Sequence, residues 1–538
     1  MKHFGKLGAR ARQFSWNELV RRFGPQIGEQ PLQKPQKPHE NVKKTLRCLV
    51  IGGGPSGLAF ATSLRLAADP TSVEITVADG RWVRTPGRIR WRDIGEGTNR
   101  RQQVVTIQSL VYSRLHPRVR AASFPEGSYS QAWPTGGESP AELGYPRNVR
   151  IMDIEDGLLE LASDIGIDLR PNRIEPADID LREWDLIVAS DGASSRTREF
   201  FSSSFGLPDR TPYSIANKSV VDTVLGLRVQ SLMTEASSVV MTVAQNRFLL
   251  NARGRDGMLY MRLTPAEAAE VWGQTPDGRK VQSCQQSDPC RVTWRSDNGQ
   301  FVCDRTKTVF IPSVDPESAL WPRVLEGLGL FEIQPASIEA ITAFELSMTR
   351  RGAFTAELTP SGSDQPVFGA LLGDAAGVTH FWPGRGLNRG LSGAHALARV
   401  LSRRPSENPL RNADFAPFEA VMAALQHRHQ DRAWRSMVQL REGATVPIST
   451  IVSDAIAGPR GERGAMLDVM RDRVRDLARR LEGRLPQKPS EAELFAVLET
   501  LSDETLAVLV ASQAWETRWS GGAEIDVDGL LEGLDGLV

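Results

Sequence analysis

Three glycines in the stretch Val50-Ile51-Gly52-Gly53-Gly54-Pro55-Ser56-Gly57 are spaced G-x-G-x-x-G directly after an apolar run. In that context the spacing suits the holding of a pyrophosphate. Gly52 permits a tight turn out of a strand, Gly54 lets the backbone approach the phosphates, and Gly57 lets the next helix pack closely on the sheet. Free N–H groups at the helix N-terminus, with the helix dipole behind them, would receive the negative charge. Asp79, followed by Gly80 and Arg81, lies about 20 residues further on. A carboxylate there accepts hydrogen bonds from a ribose diol and repels a 2′-phosphate. Together these residues predict a dinucleotide site.

The elements needed to position them are legible. Residues 46–51 form a compact strand, 58–66 carry a helical pattern, and 73–77 alternate as a β-branched strand ending at Asp79. Residues 88–146 are poorly patterned and loop-rich, as cofactor or substrate loops often are. A helix is expected at 154–165 and a buried strand at 185–190. Short β-like runs at 219–229, 238–243, 248–252, 258–263 and 308–311, with helices at 265–272 and 317–328, predict a mainly antiparallel unit. A buried strand at 367–372 and a helix from Leu387 to about Arg403 follow, and nearly everything after Asn412 reads as helical. The expected fold class is α/β with an α+β insert. The expected division is 1–44 (helix and linker), 45–211 (first part of the dinucleotide domain), 212–345 (substrate domain), 346–411 (second part) and 412–538 (helical region).

Lys plus Arg equals Asp plus Glu, 65 each, so the balance calls for no nucleic acid and no anionic membrane. No run is long and apolar enough for a transmembrane segment. The basic, aromatic-bearing residues 1–24 fit an amphipathic helix on the main body or a targeting peptide. Four cysteines in 538 residues fit a reducing cytoplasm. Cys284 and Cys290 lack zinc-knuckle spacing, so no metal site is expected; a redox pair is the other reading.

Two later constellations separate the candidate dinucleotides. The run Asp185-Leu-Ile-Val-Ala-Ser-Asp191-Gly192, continuing to Arg198, resembles the "DG" motif of FAD-dependent aromatic hydroxylases. The run from Gly369 through Gly373-Asp374, His380-Phe381-Trp382, Gly384, Gly386-Leu387-Asn388 and Gly390 resembles their "GD" motif and flavin loop. In order and spacing the three motifs are similar to the p-hydroxybenzoate hydroxylase fold of single-component flavin monooxygenases, over about 45–405. The resemblance implies FAD as cofactor, with Asp374 on ribityl or ribose hydroxyls and the amides near Gly384 and Gly386 at the flavin edge. Asn388 would bond the flavin's polar rim or cap the helix that begins there. Asp191 would serve both FAD and NADPH sites, or simply form a turn. Residues 100–105, 149–169, 381–383 and 389–390 also resemble the MICAL monooxygenase domain. There Arg101 and Gln103 would contact flavin, or else form an exposed polar face. Met152 stands where that domain usually carries an FAD-contacting arginine, and the loop after Pro383 is about one residue shorter. Trp382 is either an aromatic beside the flavin or core packing.

The family's chemistry would have NADPH or NADH reduce FAD, O₂ form a C4a-hydroperoxide, and one oxygen atom pass to a small organic substrate. The substrate would be aromatic or a natural product. A single G-x-G-x-x-G fits a type in which NADPH has no domain of its own. His380 is the candidate proton donor or relay, or a satisfied structural histidine. The alternatives are a reductase or dehydrogenase of the same fold, a flavin halogenase, whose Trp-x-Trp-x-Ile-Pro segment is missing here, and an FAD-bound interaction protein. The C-terminal helices are expected to form a homodimer interface, a lid or an accessory cap. The acidic stretch 524–535 has no assigned role.

Overall fold

The computed structural model describes residues 45–538 except 94–95, 97–99, 133–142, 275–279, 283–291, 296–299, 304–319, 360–364, 383, 406, 483, 486, 516–523 and 536–538. The expected N-terminal helix and linker, the Cys284–Cys290 pair and the strand at 308–311 lie outside these residues. From Lys43 onward the chain is one compact unit.

Strands β1 (Leu46–Ile51), β2 (Val73–Ala78), β3 (Asp168–Arg170) and β4 (Leu186–Ala189) open the architecture. A second group, β5 (Val221–Gln230), β6 (Phe248–Arg253), β7 (Asp256–Leu263) and β8 (Ala340–Ser347), follows before β9 (Thr355–Glu357) and β10 (Phe368–Leu371). The first sheet has the order β9-β10-β4-β1-β2-β3 and is parallel except at its edge strand β9. Its central strands are apolar, apart from Arg47 near the start of β1, because both faces are covered. The second sheet, β6-β7-β5-β8, is antiparallel throughout. The fold is therefore α/β with an inserted antiparallel layer.

Register decides where a ligand can sit. Ile51 pairs with Ala78 on one side and with Ala189 on the other, and Ala189 pairs with Leu371. Four strands thus end on one rung. The turns that leave them, at Gly52, Asp79, Asp191 and Gly373, emerge side by side at the carboxyl edge, where open α/β sheets bind ligands.

Helices α1 (Pro55–Ala67), α2 (Ile151–Asp164), α3 (Glu235–Val243), α4 (Gly386–Arg403) and α5 (Ala416–Arg435) pack around these sheets. Glycine lets α1 and α4 approach closely: a Cβ on Gly390 would stand 2.3 Å from Ser56 Oγ. Beyond α5 come a hairpin (Val438–Arg441 with Ala444–Pro447) and α6 (Arg463–Arg480), α7 (Glu491–Thr500), α8 (Asp503–Ser512) and α9 (Val527–Asp535).

Two sequence expectations are corrected. Residues 238–243, β-like by their Val and Thr content, belong to helix α3. Thr234 accepts from the Ser237 N–H and starts it, and burial on nearly every side hides the helical period. Residues 88–146 are less irregular than their pattern suggests. They carry short helices and the strands Val104–Ile107 and Tyr129–Gln131, which flank Arg147–Arg150; segments of three or four residues are too short for periodicity to reveal. The apolar stripe of α6 (Met466, Leu467, Met470, Val474, Leu477) joins the core of the antiparallel layer.

Candidate functional site

A single cavity of about 900 Å³ lies at the carboxyl edge of the parallel sheet. It is lined at once by residues of all three motifs: Gly52, Gly54, Pro55 and Ser56; Asp191 and Gly192; Gly373, Asp374, Gly384, Gly386 and Leu387. Asp79, Gly80, Arg81, Arg101 and Gln103 line it too. That volume is at the upper end of the ~300–1,000 Å³ usual for cofactor sites.

The glycines of the first turn have separate duties. Gly52 adopts φ +100°, which favours glycine. A Cβ on Gly57 would stand 2.2 Å from the Gly52 carbonyl oxygen, so this glycine serves helix-to-strand packing. A Cβ on Gly53 would enter the buried Trp82 ring at 2.0 Å, so Gly53 faces the core rather than the cavity. Gly54 is the open one. It is the N-cap of α1, and a Cβ there would meet nothing nearer than Arg81 Nη2 at 3.6 Å and Arg101 Nη1 at 3.9 Å. A helix N-terminus flanked by two guanidinium groups has the charge and the free N–H donors to receive a pyrophosphate.

Asp79 is anchored more heavily than its spacing suggests. It accepts from the Gly53 N–H at 2.8 Å and from Arg81 through N at 2.8 Å, Nε at 3.0 Å and Nη2 at 2.6 Å. It therefore fixes both the glycine turn and the arginine, and a ribose diol would share it with Arg81. Glu155 on α2, 1% exposed, completes this end. Arg81 lies 3.6 Å from it, and Arg100 and Arg101 each 4.0 Å. Burial raises its pKa against the pull of Arg101, Arg81 and Arg100. Arg81 and Arg100 also stack on Trp91, at 4.7 and 5.0 Å from the ring centroid. Glu155 reads in the sequence as one more polar helix residue, so nothing there marks it.

At the second turn, the Asp191 carboxylate accepts from Ser195 Oγ, from the Thr197 N–H at 3.2 Å and from Thr197 Oγ1 at 3.1 Å. The turn-forming reading describes these bonds, although Asp191 also lines the cavity. Asp374 is different: its carboxylate is exposed to the cavity and has no hydrogen-bond partner among the described residues. Gln103 Oε1 and Thr379 Oγ1 are buried, unpartnered and in cavity-lining residues. Such orphaned groups await a ligand or water. An open cradle, a free carboxylate and orphaned acceptors along one cavity fit an FAD-like dinucleotide.

At three positions around the loop after Gly373 the structural alternative is the one the contacts describe. Asn388 is fully buried and spent on protein: Oδ1 accepts from the Gln108 N–H at 2.8 Å, and Nδ2 donates to the carbonyls of Thr106 at 2.7 Å and Gly384 at 2.9 Å. It braces the loop rather than reaching the cavity. His380 is 1% exposed and does not line the cavity. Its Nδ1 accepts from the Trp382 N–H at 3.2 Å, and its Nε2 lies 3.1 Å from the Asp222 carboxylate. Burial lowers its pKa despite Asp222. The histidine is thus a buried peg between the loop and β5. Trp382, 1% exposed, is also behind the wall, with the Arg262 guanidinium 4.4 Å from its ring centroid. The cavity-lining aromatic is Phe381, which packs against Tyr260 at 4.5 Å and Phe344 at 5.5 Å between centroids. With Asn251, Leu346 and Val105 these rings make a chamber without a charged side chain among these residues.

The C-terminal tail clamps the same loop. Glu524 is buried and lies 2.9 Å from Arg385 Nε and 2.8 Å from Arg432 Nη1. Burial alone would raise its pKa, but Arg385 and Arg432 hold it down to about 2. Trp515 packs on Trp382 at 6.5 Å between centroids. Asp528 on α9 pins His395 and Arg399 of α4. The acidic stretch left without a role is this clamp.

Among the described residues no His, Cys, Asp and Glu cluster could hold a metal ion, and no helix is long and apolar enough to cross a membrane. No protein-family model and no curated protein matches the chain. Solved structures are similar at low identity. A 2-methyl-3-hydroxypyridine-5-carboxylic acid oxygenase is 15% identical with a TM-score of 0.37, covering 73% of this chain and 89% of that one. The anhydrotetracycline hydroxylase OxyS from Streptomyces rimosus is 13% identical with a TM-score of 0.38, covering 87% and 76%. The flavin-dependent halogenase CmlS is 11% identical with a TM-score of 0.43, covering 92% and 78%. Likeness at that level says nothing of chemistry, which rests on the residues described above.

Proposed function

We propose that the chain is an FAD-dependent monooxygenase that takes electrons from NADPH or NADH and places one oxygen atom from O₂ on a small organic substrate. One observation carries this reading: three separate motifs converge on a single cavity that is lined both by the open helix N-terminus at Gly54 with Arg81 and Arg101 and by the aromatic rings of Tyr260, Phe344 and Phe381. Gly54, Arg81 and Arg101 would hold the pyrophosphate of FAD, and Asp374 and Gln103 its hydroxyl-bearing middle. FAD supplies the redox chemistry and oxygen activation when bound. The protein's own part is to bind, orient and exclude water. The chamber formed with Tyr260, Phe344 and Phe381 shields the reacting end from solvent and presents apolar surface to a substrate.

The test is an anaerobic reduction of the FAD-loaded protein by NADPH and by NADH, followed by ¹⁸O₂ and mass spectrometry of products from a panel of aromatic compounds. Reduction that substrate accelerates, with one labelled oxygen in the product, supports the reading. Reduction with substrate saturation and no label would move a reductase or dehydrogenase ahead.

A further inference from the structure

Most buried arginines around the loop have identifiable partners. Arg262 pairs with Asp222 and donates to two carbonyls, Arg247 pairs with Glu267, and Arg385 and Arg432 share Glu524. Arg389 stands apart. It is 2% exposed, and its Nε, Nη1 and Nη2 all lack a hydrogen-bond partner. An unpaired buried guanidinium is costly, and arginine does not readily escape by losing its proton.

Its position is informative. The guanidinium lies against Gly377, where a Cβ would stand 3.1 Å from Nη2. Gly377 closes the turn Gly373–Ala376, and Gly373, Asp374, Val378 and Thr379 line the cavity. One layer of backbone therefore separates this cation from the cavity. It sits in α4, whose first residues Gly386 and Leu387 also line the cavity and whose N-terminal dipole adds to the positive field. The titratable neighbours do not neutralise it. Asp374 exerts a field on it without an ion pair, Tyr213 is a phenol, Arg351 is a second cation, and burial keeps His429 neutral.

We propose that Arg389 is the electrostatic floor of the cavity, its charge left unpaired so that it favours the more negative, reduced state of the group bound above. This rests on the flavin reading. Hydride transfer from NAD(P)H delivers two electrons and one proton, so the cavity gains one net negative charge while NAD(P)⁺ leaves. Arg389 offsets that charge through a low-dielectric layer, where Coulomb attraction is strong. It is a positioning charge that touches neither cofactor nor substrate.

The experiment measures the flavin midpoint potential of the FAD-loaded protein as wild type, R389K and R389M, with the thermal stability of each apoprotein. R389M is expected to weaken the protein's preference for reduced over oxidised flavin by about tenfold, which is about 30 mV for a two-electron couple. R389K should stay near wild type. Apo R389M should be at least as stable as wild type, because an apolar side chain replaces an unpaired buried charge. A merely structural arginine gives the opposite pattern, lost stability and an unchanged potential, and that result overturns the proposal. Insolubility of R389M would also count against it, and R389Q would then read the potential. If wild type takes up no FAD, the flavin reading itself fails; if FAD binds and all variants share one potential, only the role of Arg389 fails.

Discussion

Two turns that line the cavity are held in different ways. The glycine turn at residues 52–57 is fixed by near neighbours: the strand before it, the helix after it, and the Asp79 carboxylate on the adjacent strand. The loop at 377–385 is fixed from far along the chain. His380 is pegged to β5 beside Asp222, Arg385 is held by Glu524, and Trp382 is held between Arg262 and Trp515. A phosphate cradle needs only a backbone shape, which a short glycine pattern encodes. A wall beside a ligand needs rigidity against motion, and here buried contacts from three regions supply it.

Breaking the distant clamp should have the largest effect. Glu524→Gln leaves Arg385 and Arg432 buried without their shared carboxylate, and a loss of about 3–5 kcal/mol is expected in urea unfolding. A loss below about 1 kcal/mol, the range of an exposed pair, would show that the tail does not hold the loop. The local turn should be less costly to damage. Gly57→Ala drives a Cβ into the Gly52 carbonyl and should cost about 1–3 kcal/mol by thermal melting. Asp374→Asn should leave the apoprotein's melting point unchanged yet weaken FAD about tenfold in a fluorescence titration, since only a charge-assisted bond to the ligand is lost. Equal loss of stability and affinity would make Asp374 a structural residue.

The smallest effect is a pH slope. Burial lowers the pKa of His429 to about 3, from an ordinary value of 6.5. Below about pH 6.5 the unfolded chain takes up a proton that the folded chain refuses. Stability is therefore full above that pH and falls as pH drops toward 3, by about 1.4 kcal/mol per unit. Glu524 adds its own loss only as pH falls from its ordinary 4.5 toward about 2, while the raised carboxyls of Glu155, Asp156 and Glu419 add stability as pH falls, so His429 is read from the difference between its variant and wild type. His429→Gln should flatten melting temperature against pH relative to wild type, with the remaining slope shared by His380, His116 and the raised carboxyls. An unchanged slope would mean that His429 is protonated in the fold.

Legibility in the sequence follows the same division. The parallel sheet, the helix after it and the three motifs were readable, because each depends on spacing within about 20 residues. The loop's supports were not. Glu524 lies 92 residues from Arg432, and no local pattern links them. Which of His380, Phe381 and Trp382 faces the cavity depends on the path of the backbone between them, so the catalytic expectation fell on the two neighbours of Phe381. Helix α3 was misread as strand because its burial on nearly all sides erased the period that would have revealed it.

The central claim is that one cavity, built from three turns, holds one FAD per chain. The measurement is the visible absorption and FAD stoichiometry of the purified protein beside Gly54→Val, a substitution whose side chain enters the cradle while meeting little protein. Wild type should carry bound flavin at one per chain, and Gly54→Val should lose it with an unchanged circular dichroism spectrum. A wild-type protein that stays colourless after reconstitution with FAD, or a Gly54→Val protein that binds it equally well, would contradict the account.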